Sequence, residues 1–286
     1  MNFTKVQGAG NDFVLIEGGN TKRDWSQLAK VICDRHYGVG ADGLLVLLPS
    51  KVAHFKMRVF DPDGFEAEAC GNGLRCMVKY ALQQGLVERK SREVSVETIA
   101  GVRKARLNNL GGNTAIIKVS MGEPRFGASD IPVAIKPAST GPITNYPVRV
   151  DGEELRLDLV SMGNPHAVYF WQHPVADFPL SQLGPRVEYL PVFPNRVNFE
   201  VARVISRGLI EARVWERGVG ETLACGSGAC AIAVFAQLHD YAGKKVDIKL
   251  PGGTLVVEWD GAEVFLSGPA EIVFSGELSD EIITTG

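Results

Sequence analysis

The sequence contains two short stretches that decide its fold, Ala69-Cys70-Gly71-Asn72-Gly73 and Ala224-Cys225-Gly226-Ser227-Gly228. Both read A-C-G-x-G, and the second follows the first at an offset of 155 residues. The match continues upstream without a gap, since Arg58-Val59-Phe60-Asp61 aligns with Arg213-Val214-Trp215-Glu216 at the same offset. Two features that recur in one order at one offset indicate an internal duplication.

A second repeated motif lies further upstream in each half of the chain. Gly10-Asn11-Asp12-Phe13 resembles Gly163-Asn164-Pro165-His166, at an offset of 153 residues. The 286 residues therefore divide into two copies of one unit, each of ordinary domain size. We expect an N-terminal lobe over residues 1–123, on which the C-terminal segment 276–286 packs, and a C-terminal lobe over residues 124–286.

The duplicated loops lie between a strand and a helix. Apolar, strand-like runs precede them at Met57–Phe60 and Ala212–Trp215, and helical patterns follow at Leu74–Gln84 and Ala229–Asp240. Most other segments read as short strands, which favours the α+β class. The Pro- and Gly-containing stretch Gly122–Pro147 is the expected connection. We expect two pseudo-symmetric lobes with an active site in the cleft between them.

Composition excludes several functions. The net charge is -3 and the sequence pI is about 6.0, so no basic excess indicates a nucleic-acid partner. The N-terminus, Met1 to Val14, lacks a signal-peptide pattern. No apolar run approaches the roughly 20 residues of a membrane helix. We expect a cytoplasmic protein that binds a small molecule and neither nucleic acid nor membrane.

The five cysteines do not form a metal-binding pattern. Cys33 falls in an apolar-periodic stretch and reads as a small core residue. Spacings of six between Cys70 and Cys76 and of five between Cys225 and Cys230 do not match the C-x2-4-C spacing of zinc sites. We predict no metal, and we expect Cys76 and Cys230 to be buried packing residues.

The duplicated cysteine loops indicate proton chemistry. A cysteine at a helix N-terminus is biased towards the thiolate, and the same N-terminus binds anions. Two such groups on opposite faces of one carbon suit stereoinversion, in which one removes a proton and the other returns one. A redox thiol pair and a duplicated pair of packing cysteines are the alternatives.

Six segments together resemble the diaminopimelate epimerase family. The resemblance implies a cofactor-independent, PLP-free epimerase of lysine biosynthesis that interconverts LL- and meso-diaminopimelate. It also implies two similar lobes, each a curved, mostly antiparallel sheet around a central helix. We further expect a homodimer. The segments, in chain order, are 8–13, 38–43, 63–73, 162–166, 196–198 and 216–228.

The resemblance also implies roles for individual residues. Cys70 and Cys225 would exchange the Cα proton, and His166 and Glu216 would tune the thiols. Arg217 would pair with the distal carboxylate, and Glu216 also suits the distal ammonium. The implied substrate-binding residues are Asn11, Asp61, Gly71, Asn72, Asn164, Asn198, Glu216, Arg217, Gly226 and Ser227.

Two positions depart from the commoner family pattern, which has asparagine at Asp61 and glutamine at Gly43. A second carboxylate, the pseudo-symmetric partner of Glu216, would favour a substrate with a distal ammonium. It also leaves open a racemase or dehydratase of another amino acid on the same scaffold. A non-catalytic thiol protein has no use for the polar residues of the motifs, such as Asn198 and Arg217.

Overall fold

A computed structural model of the chain describes residues 1–19, 23–67, 70–88, 91–111, 114–135 and 141–279. The chain folds as two units, Met1–Ser120 with Ser267–Gly286, and Met121–Leu266. This division differs from the boundaries expected from the sequence, 123/124 and 276. The chain returns to the first unit earlier because one long strand, Val264–Glu277, pairs antiparallel with Asn2–Gly8 from Glu271 onwards.

The first unit is a mostly antiparallel sheet that packs against one buried helix. Strands β2 and β3 are parallel, as are β4 and β6. The pairs β1–β2, β3–β4, β4–β5, β6–β7 and β7–β8 run antiparallel. Helix α2 contacts five strands of this sheet, β1 to β4 and β7. The elements are β1 Asn2–Gly8, β2 Asn11–Glu17, α1 Trp25–Ile32, β3 Gly43–Leu48, β4 Phe55–Phe60, β5 Glu66–Ala67, α2 Gly71–Gln83, β6 Glu93–Thr98, β7 Gly101–Gly111 and β8 Thr114–Gly122.

The second unit has the same internal arrangement. Strands β11 and β12 are parallel, as are β13 and β15. The pairs β9–β10, β10–β11, β12–β13, β13–β14 and β15–β16 run antiparallel. Helix α4 is buried against β10, β11, β12, β15 and β16. The elements are β9 Ile143–Val150, β10 Glu153–Ser161, β11 Pro165–Phe170, α3 Leu180–Glu188, β12 Asn198–Ser206, β13 Leu209–Glu216, β14 Gly220–Thr222, α4 Gly226–Leu238, β15 Lys245–Leu250, β16 Gly253–Trp259 and β17 Val264–Glu277.

An ion pair repeats at the offset of the duplication. The Arg58 guanidinium donates two hydrogen bonds to the Glu66 carboxylate, at 2.6 and 2.7 Å. Arg213 donates the same pair to Glu221, at 2.7 and 2.9 Å. Strand β5 also pairs with β4 in the register that β14 adopts on β13. The predicted duplication and the α+β class are therefore confirmed.

Two expectations about local structure need correction. Both central helices begin three residues before their predicted starts, at Gly71 and Gly226, because cysteine caps offset the low helix propensity of the glycines. The predicted connection Gly122–Pro147 is not a bare linker. Its residues Ala128, Ile131 and Val133 are buried in the core of the second unit, and β9 begins at Ile143. Residues 136–140 of this stretch lie outside the described part of the chain.

Within the described ranges, no helix has the length and apolarity to span a membrane.

Candidate active site

Cys70 is the N-cap residue of α2. Its backbone is extended, and its Sγ accepts a hydrogen bond from the Gly73 N–H at 3.3 Å. Gly71 and Asn72, the next two residues, are buried at the beginning of the helix. The N–H groups of a first helical turn lack partners within the helix and carry partial positive charge. The loop therefore holds a sulfur beside an anion-binding helix end.

A chain of hydrogen bonds holds the residues beside Cys70. The Asn72 side chain donates to Asn11 Oδ1 at 3.0 Å, and Asn11 donates to Asp42 at 2.8 Å. The fully buried Arg75 donates to Asn72 Oδ1 at 2.8 Å and also bonds the Pro269 carbonyl at 3.3 Å. Asn11 and Asn72, two of the four asparagines that the resemblance assigns to the substrate site, therefore lie side by side in the first unit.

Asp61 lies where β4 ends and a tight turn begins. Its carbonyl accepts the Gly64 N–H at 2.8 Å, and its own N–H donates to the Phe65 carbonyl at 2.9 Å. Burial, with a smaller effect from Asp63, raises the pKa of the Asp61 carboxyl to about 6. The residue is thus both a turn former and a half-buried acid that titrates just below neutrality.

Cys225 occupies the equivalent position at the beginning of α4. It is the N-cap, with Sγ accepting the Gly228 N–H at 3.4 Å and lying 3.5 Å from Ser227 Oγ. Gly226 is the first helical residue and is buried. The side chain of Cys225 is itself buried, whereas Cys70 is partly exposed. Both cysteines of the duplicated motif are therefore helix caps of the same geometry.

A histidine and a glutamate form a buried pair in the second unit. His166 Nδ1 lies 2.7 Å from Glu200 Oε1, and both side chains are fully buried. The other ring nitrogen, Nε2, lies 2.9 Å from Asn164 Oδ1. Each nitrogen of the ring therefore faces an oxygen. His166 therefore has two partners, Glu200 and Asn164.

The remaining polar residues of the motifs lie at the beginning of β12 and at the end of β13. Asn198 is buried, donates to the Pro165 carbonyl at 3.1 Å and accepts the Arg217 N–H at 2.8 Å. Glu216 accepts the Thr222 hydroxyl at 2.6 Å. The Arg217 guanidinium donates to the Asn195 carbonyl at 3.1 Å. The Arg217 backbone and the Asn198 side chain are therefore in direct contact.

Two glutamates influence the pKa of Cys225. Burial raises the pKa of its thiol well above the usual value, and the carboxylates of Glu216 and Glu200 raise it further. Hydrogen bonds from Ser227 and Gly228 act in the opposite direction. Burial also raises the pKa of Glu216, while hydrogen bonds from Thr222 and Cys225 and the charge of His166 lower it. Glu216 and Cys225 therefore affect the protonation of each other.

Sequence reasoning missed several buried charged residues, among them Arg75, Glu188 and Glu200, which contact residues of the motifs. Glu200 alone had a signal in the sequence, since it follows Asn198 by two positions on a buried strand and so shares its face. The packing cysteines agree with expectation, because Cys33, Cys76 and Cys230 are buried. Among the residues that the structure describes, no three His, Cys, Asp or Glu side chains converge on a common metal position.

Solved structures share this fold. A PhzF-family phenazine biosynthesis protein from Bacillus anthracis matches with a TM-score of 0.70 and 17% identity, over 98% of this chain and 99% of that one. A hydroxyproline epimerase from Agrobacterium vitis matches with a TM-score of 0.73 and 16% identity, over 97% and 90%. The chain therefore has the α+β fold found in PhzF-family proteins and in amino-acid racemases and epimerases.

Sequence comparison specifies the family within that fold. The family model for diaminopimelate epimerase matches residues 3–127 and 159–273. The diaminopimelate epimerase of Pelotomaculum thermopropionicum is 47% identical over 281 residues, covering 97% of this chain and 98% of that protein. The enzyme of Moorella thermoacetica is 44% identical over 282 residues, covering 97% and 99%. The chain belongs to the diaminopimelate epimerase family, a family of isomerases.

Proposed function

We propose that this isomerase interconverts LL- and meso-diaminopimelate by moving the Cα proton between Cys70 and Cys225, without PLP. One observation carries the mechanism. Each cysteine caps the central helix of its unit, with its Sγ accepting the N–H three residues further on. Two equivalent thiols at two equivalent helix ends suit a reaction that must run in both directions through one carbanion.

The proton transfer needs one thiolate and one thiol. The thiolate removes the Cα proton, and the electron pair of the broken bond moves towards the substrate carboxylate. The thiol of the other cysteine then donates its proton to the opposite face, which leaves the two cysteines with exchanged roles. N–H groups at Gly71 and Asn72 and at Gly226 and Ser227 would bind the carboxylate and stabilise the charge that develops on it.

The distal end of the substrate explains the remaining charged groups. Diaminopimelate carries a second carboxylate and a second ammonium. The Arg217 guanidinium would bind the distal carboxylate, and Glu216 with Asp61 would attract the distal ammonium. Asn11, Asn164 and Asn198 would supply neutral hydrogen-bonding groups around the chain, and His166 would tune the thiols from within the second unit.

The test is to incubate purified protein with LL-diaminopimelate in heavy water, without added PLP. The α-proton NMR signal should fall as deuterium enters, and chiral chromatography should detect the meso isomer. A carbonyl reagent that traps PLP should leave the rate unchanged. If wild-type protein neither exchanges the α-proton nor forms the meso isomer, the proposed function is wrong.

A substrate panel separates the alternatives. Proline, hydroxyproline and lysine test whether another amino acid is preferred, as the racemase alternative requires. Loss of exchange in Cys70→Ala and in Cys225→Ala would support the two-cysteine mechanism and exclude a non-catalytic thiol protein. The cytoplasmic location and the homodimer stay predictions, which cell fractionation and sedimentation analysis test.

A further inference from the structure

Glu188, the last residue of α3, is a buried carboxylate with three donors. Its Oε2 accepts the Trp215 indole N–H at 2.8 Å. Its Oε1 accepts the Gly218 backbone N–H at 2.9 Å and lies 3.3 Å from Arg196 Nη1. Only 3% of the residue is exposed, so it does not reach a ligand itself. Its contacts are with residues that surround the polar motif.

Two of these donors flank Glu216 and Arg217 in the chain. Strands β13 and β14 form a hairpin that pairs Glu216 with Gly220, so Arg217 lies at the hairpin tip. The Trp215 side chain fixes the strand just before the tip, and the Gly218 N–H fixes the backbone just after it. Exposed hairpin tips are ordinarily mobile. The Glu188 carboxylate therefore accepts hydrogen bonds from residues on both sides of Arg217 in the chain.

The third donor, Arg196, connects Glu188 to the segment that carries Asn198, which also contacts the hairpin tip. Arg196 has a left-handed backbone with φ of 61°, and its guanidinium lies between the Glu188 carboxylate and the Tyr189 ring, with its carbon 5.7 Å from the ring centroid. Two residues later, Asn198 accepts the Arg217 N–H at 2.8 Å. Glu188 thus supports Arg217 from the hairpin and from the segment that carries Asn198.

Close packing fixes the helix that carries Glu188. A Cβ at Gly184 would lie 2.6 Å from the Trp215 ring, so only glycine lets α3 approach β13 so closely. The glycine and the carboxylate lie one helical turn apart on α3, and both contact Trp215. The distance between α3 and the hairpin is therefore fixed by van der Waals contact as well as by hydrogen bonds.

We propose that Glu188 is a positioning residue that holds Arg217 for the distal carboxylate of the substrate. The inference rests on the proposed function, in which Arg217 binds that carboxylate. A bidentate arginine–carboxylate contact depends on the orientation of the guanidinium, so a loosened tip weakens binding before it affects the chemistry at Cα. Glu188 acts through Arg217 and sets selectivity for substrates with a second carboxylate.

Glu188→Gln tests this directly. The amide keeps the shape but presents only one acceptor oxygen, so one of the Trp215 and Gly218 donors loses its partner. We expect KM for diaminopimelate to rise about tenfold, which corresponds to about 1.4 kcal/mol, with a smaller change in kcat. Glu211→Gln is the matched control. It removes an exposed ion pair with Lys249 from β13, the strand that carries Trp215, and it should leave KM and kcat unchanged.

Two competitive inhibitors separate positioning from a general structural role. 2-Aminopimelate keeps the distal carboxylate and lacks the distal ammonium, whereas lysine lacks the distal carboxylate. In Glu188→Gln, the inhibition constant of 2-aminopimelate should rise by the same factor as KM, and that of lysine should stay within about twofold of wild type. An equal rise for both ligands would overturn the role of Glu188.

A double-mutant cycle with Arg217→Gln gives a second test. If Glu188 acts through Arg217, adding Glu188→Gln to Arg217→Gln should change KM by less than about twofold, whereas additive effects would refute the proposal. If Glu188→Gln does not fold, Trp215→Phe removes the indole donor together with part of the ring that packs near Gly184 and Gly220, and it should shift the 2-aminopimelate constant in the same direction. An inactive wild-type enzyme would refute the proposed function instead, so the two failures are distinguishable.

Discussion

His166 Nδ1 and Glu200 Oε1 lie 2.7 Å apart, and neither side chain is exposed to solvent. In the described part of the chain, the other carboxylate oxygen of Glu200 is buried without a hydrogen-bond partner. A Cβ added at Gly228 would lie 2.8 Å from Glu200 Oε1. The pair therefore lies directly beneath the first turn of α4, the turn that begins with Cys225.

Removing the charge of Glu200 should lower the pKa of Cys225. Burial raises that pKa most, and the carboxylates of Glu216 and Glu200 add to it. In Glu200→Gln one of these charges is gone, so the thiolate should form at lower pH. The measurement is the pH dependence of Cys225 alkylation by iodoacetamide in a Cys70→Ala background.

The control for this prediction is Glu188→Gln, which removes a buried carboxylate that contacts the hairpin tip. Its alkylation profile should match the profile of the background variant. If the profile of Glu200→Gln moves to higher pH or does not move, Glu200 does not influence the thiol, and its role is limited to holding His166.

Gly228→Ala should impair both stability and activity. The added methyl group would lie 2.8 Å from Glu200 Oε1, and the hydrogen bond to His166 restrains Glu200 from moving. Overpacking of this kind costs about 1–3 kcal/mol. Gly243→Ala is the matched control in the same unit, because no atom lies within 4 Å of its added Cβ. Equal melting temperatures and rates for the two variants would contradict the prediction.

The cysteines should separate into two classes. Cys70→Ala and Cys225→Ala should abolish epimerisation without loss of fold. Cys76→Ala and Cys230→Ala should keep the activity and lose about 1 kcal/mol of unfolding free energy, comparable to the loss of one buried methyl group. Cys76 is fully buried inside α2 and is not the cap of a helix, which disfavours a role in proton transfer. A folded but inactive Cys76→Ala would show that the assignment is wrong.

Asp61 gives a pH-dependent prediction for stability. Its pKa rises from 3.8 to about 6 on folding, mainly through burial. The folded state therefore binds more protons than the unfolded state between these values, so the unfolding free energy falls as pH rises through this window. Asp61→Asn removes the unfavourable free energy of burying a charged carboxylate at neutral pH. The variant should melt at a higher temperature than wild type at pH 7, and the difference should shrink towards pH 4.

The same residue gives a prediction for substrate binding. If the Asp61 carboxylate attracts the distal ammonium, KM for diaminopimelate should fall as pH rises through about 6, because the carboxylate becomes charged. Asp61→Asn should flatten this dependence and raise KM at pH 7. Identical KM profiles for the two proteins would mean that Asp61 serves only the turn.

Much of the site could be predicted from short sequence motifs and from the spacing of apolar residues. The repeat around Cys70 and Cys225 is local in the sequence, and each cysteine caps a helix because a short side chain before a G-x-G turn can accept the N–H three residues on. Strands with clear apolar patterns, such as Leu44–Leu48, were also predictable. Helix α3 was missed although Leu180, Leu183 and Val187 recur at helical spacing, because Gly184 and Pro185 interrupt the pattern.

The sequence by itself therefore determined the duplication, the two capping cysteines and the family. Only the tertiary structure decided that Glu188 and Glu200 are buried and which groups they bind. Their partners lie 30 and 34 positions away in the chain, at Gly218 and His166. A glutamate is ordinarily exposed, and nothing along the chain marks Glu188 as buried. The alternation of β12 places Glu200 on the same face as Asn198, but it does not identify His166 as the partner. Burial and pairing of such charges arise only when distant strands and helices pack together.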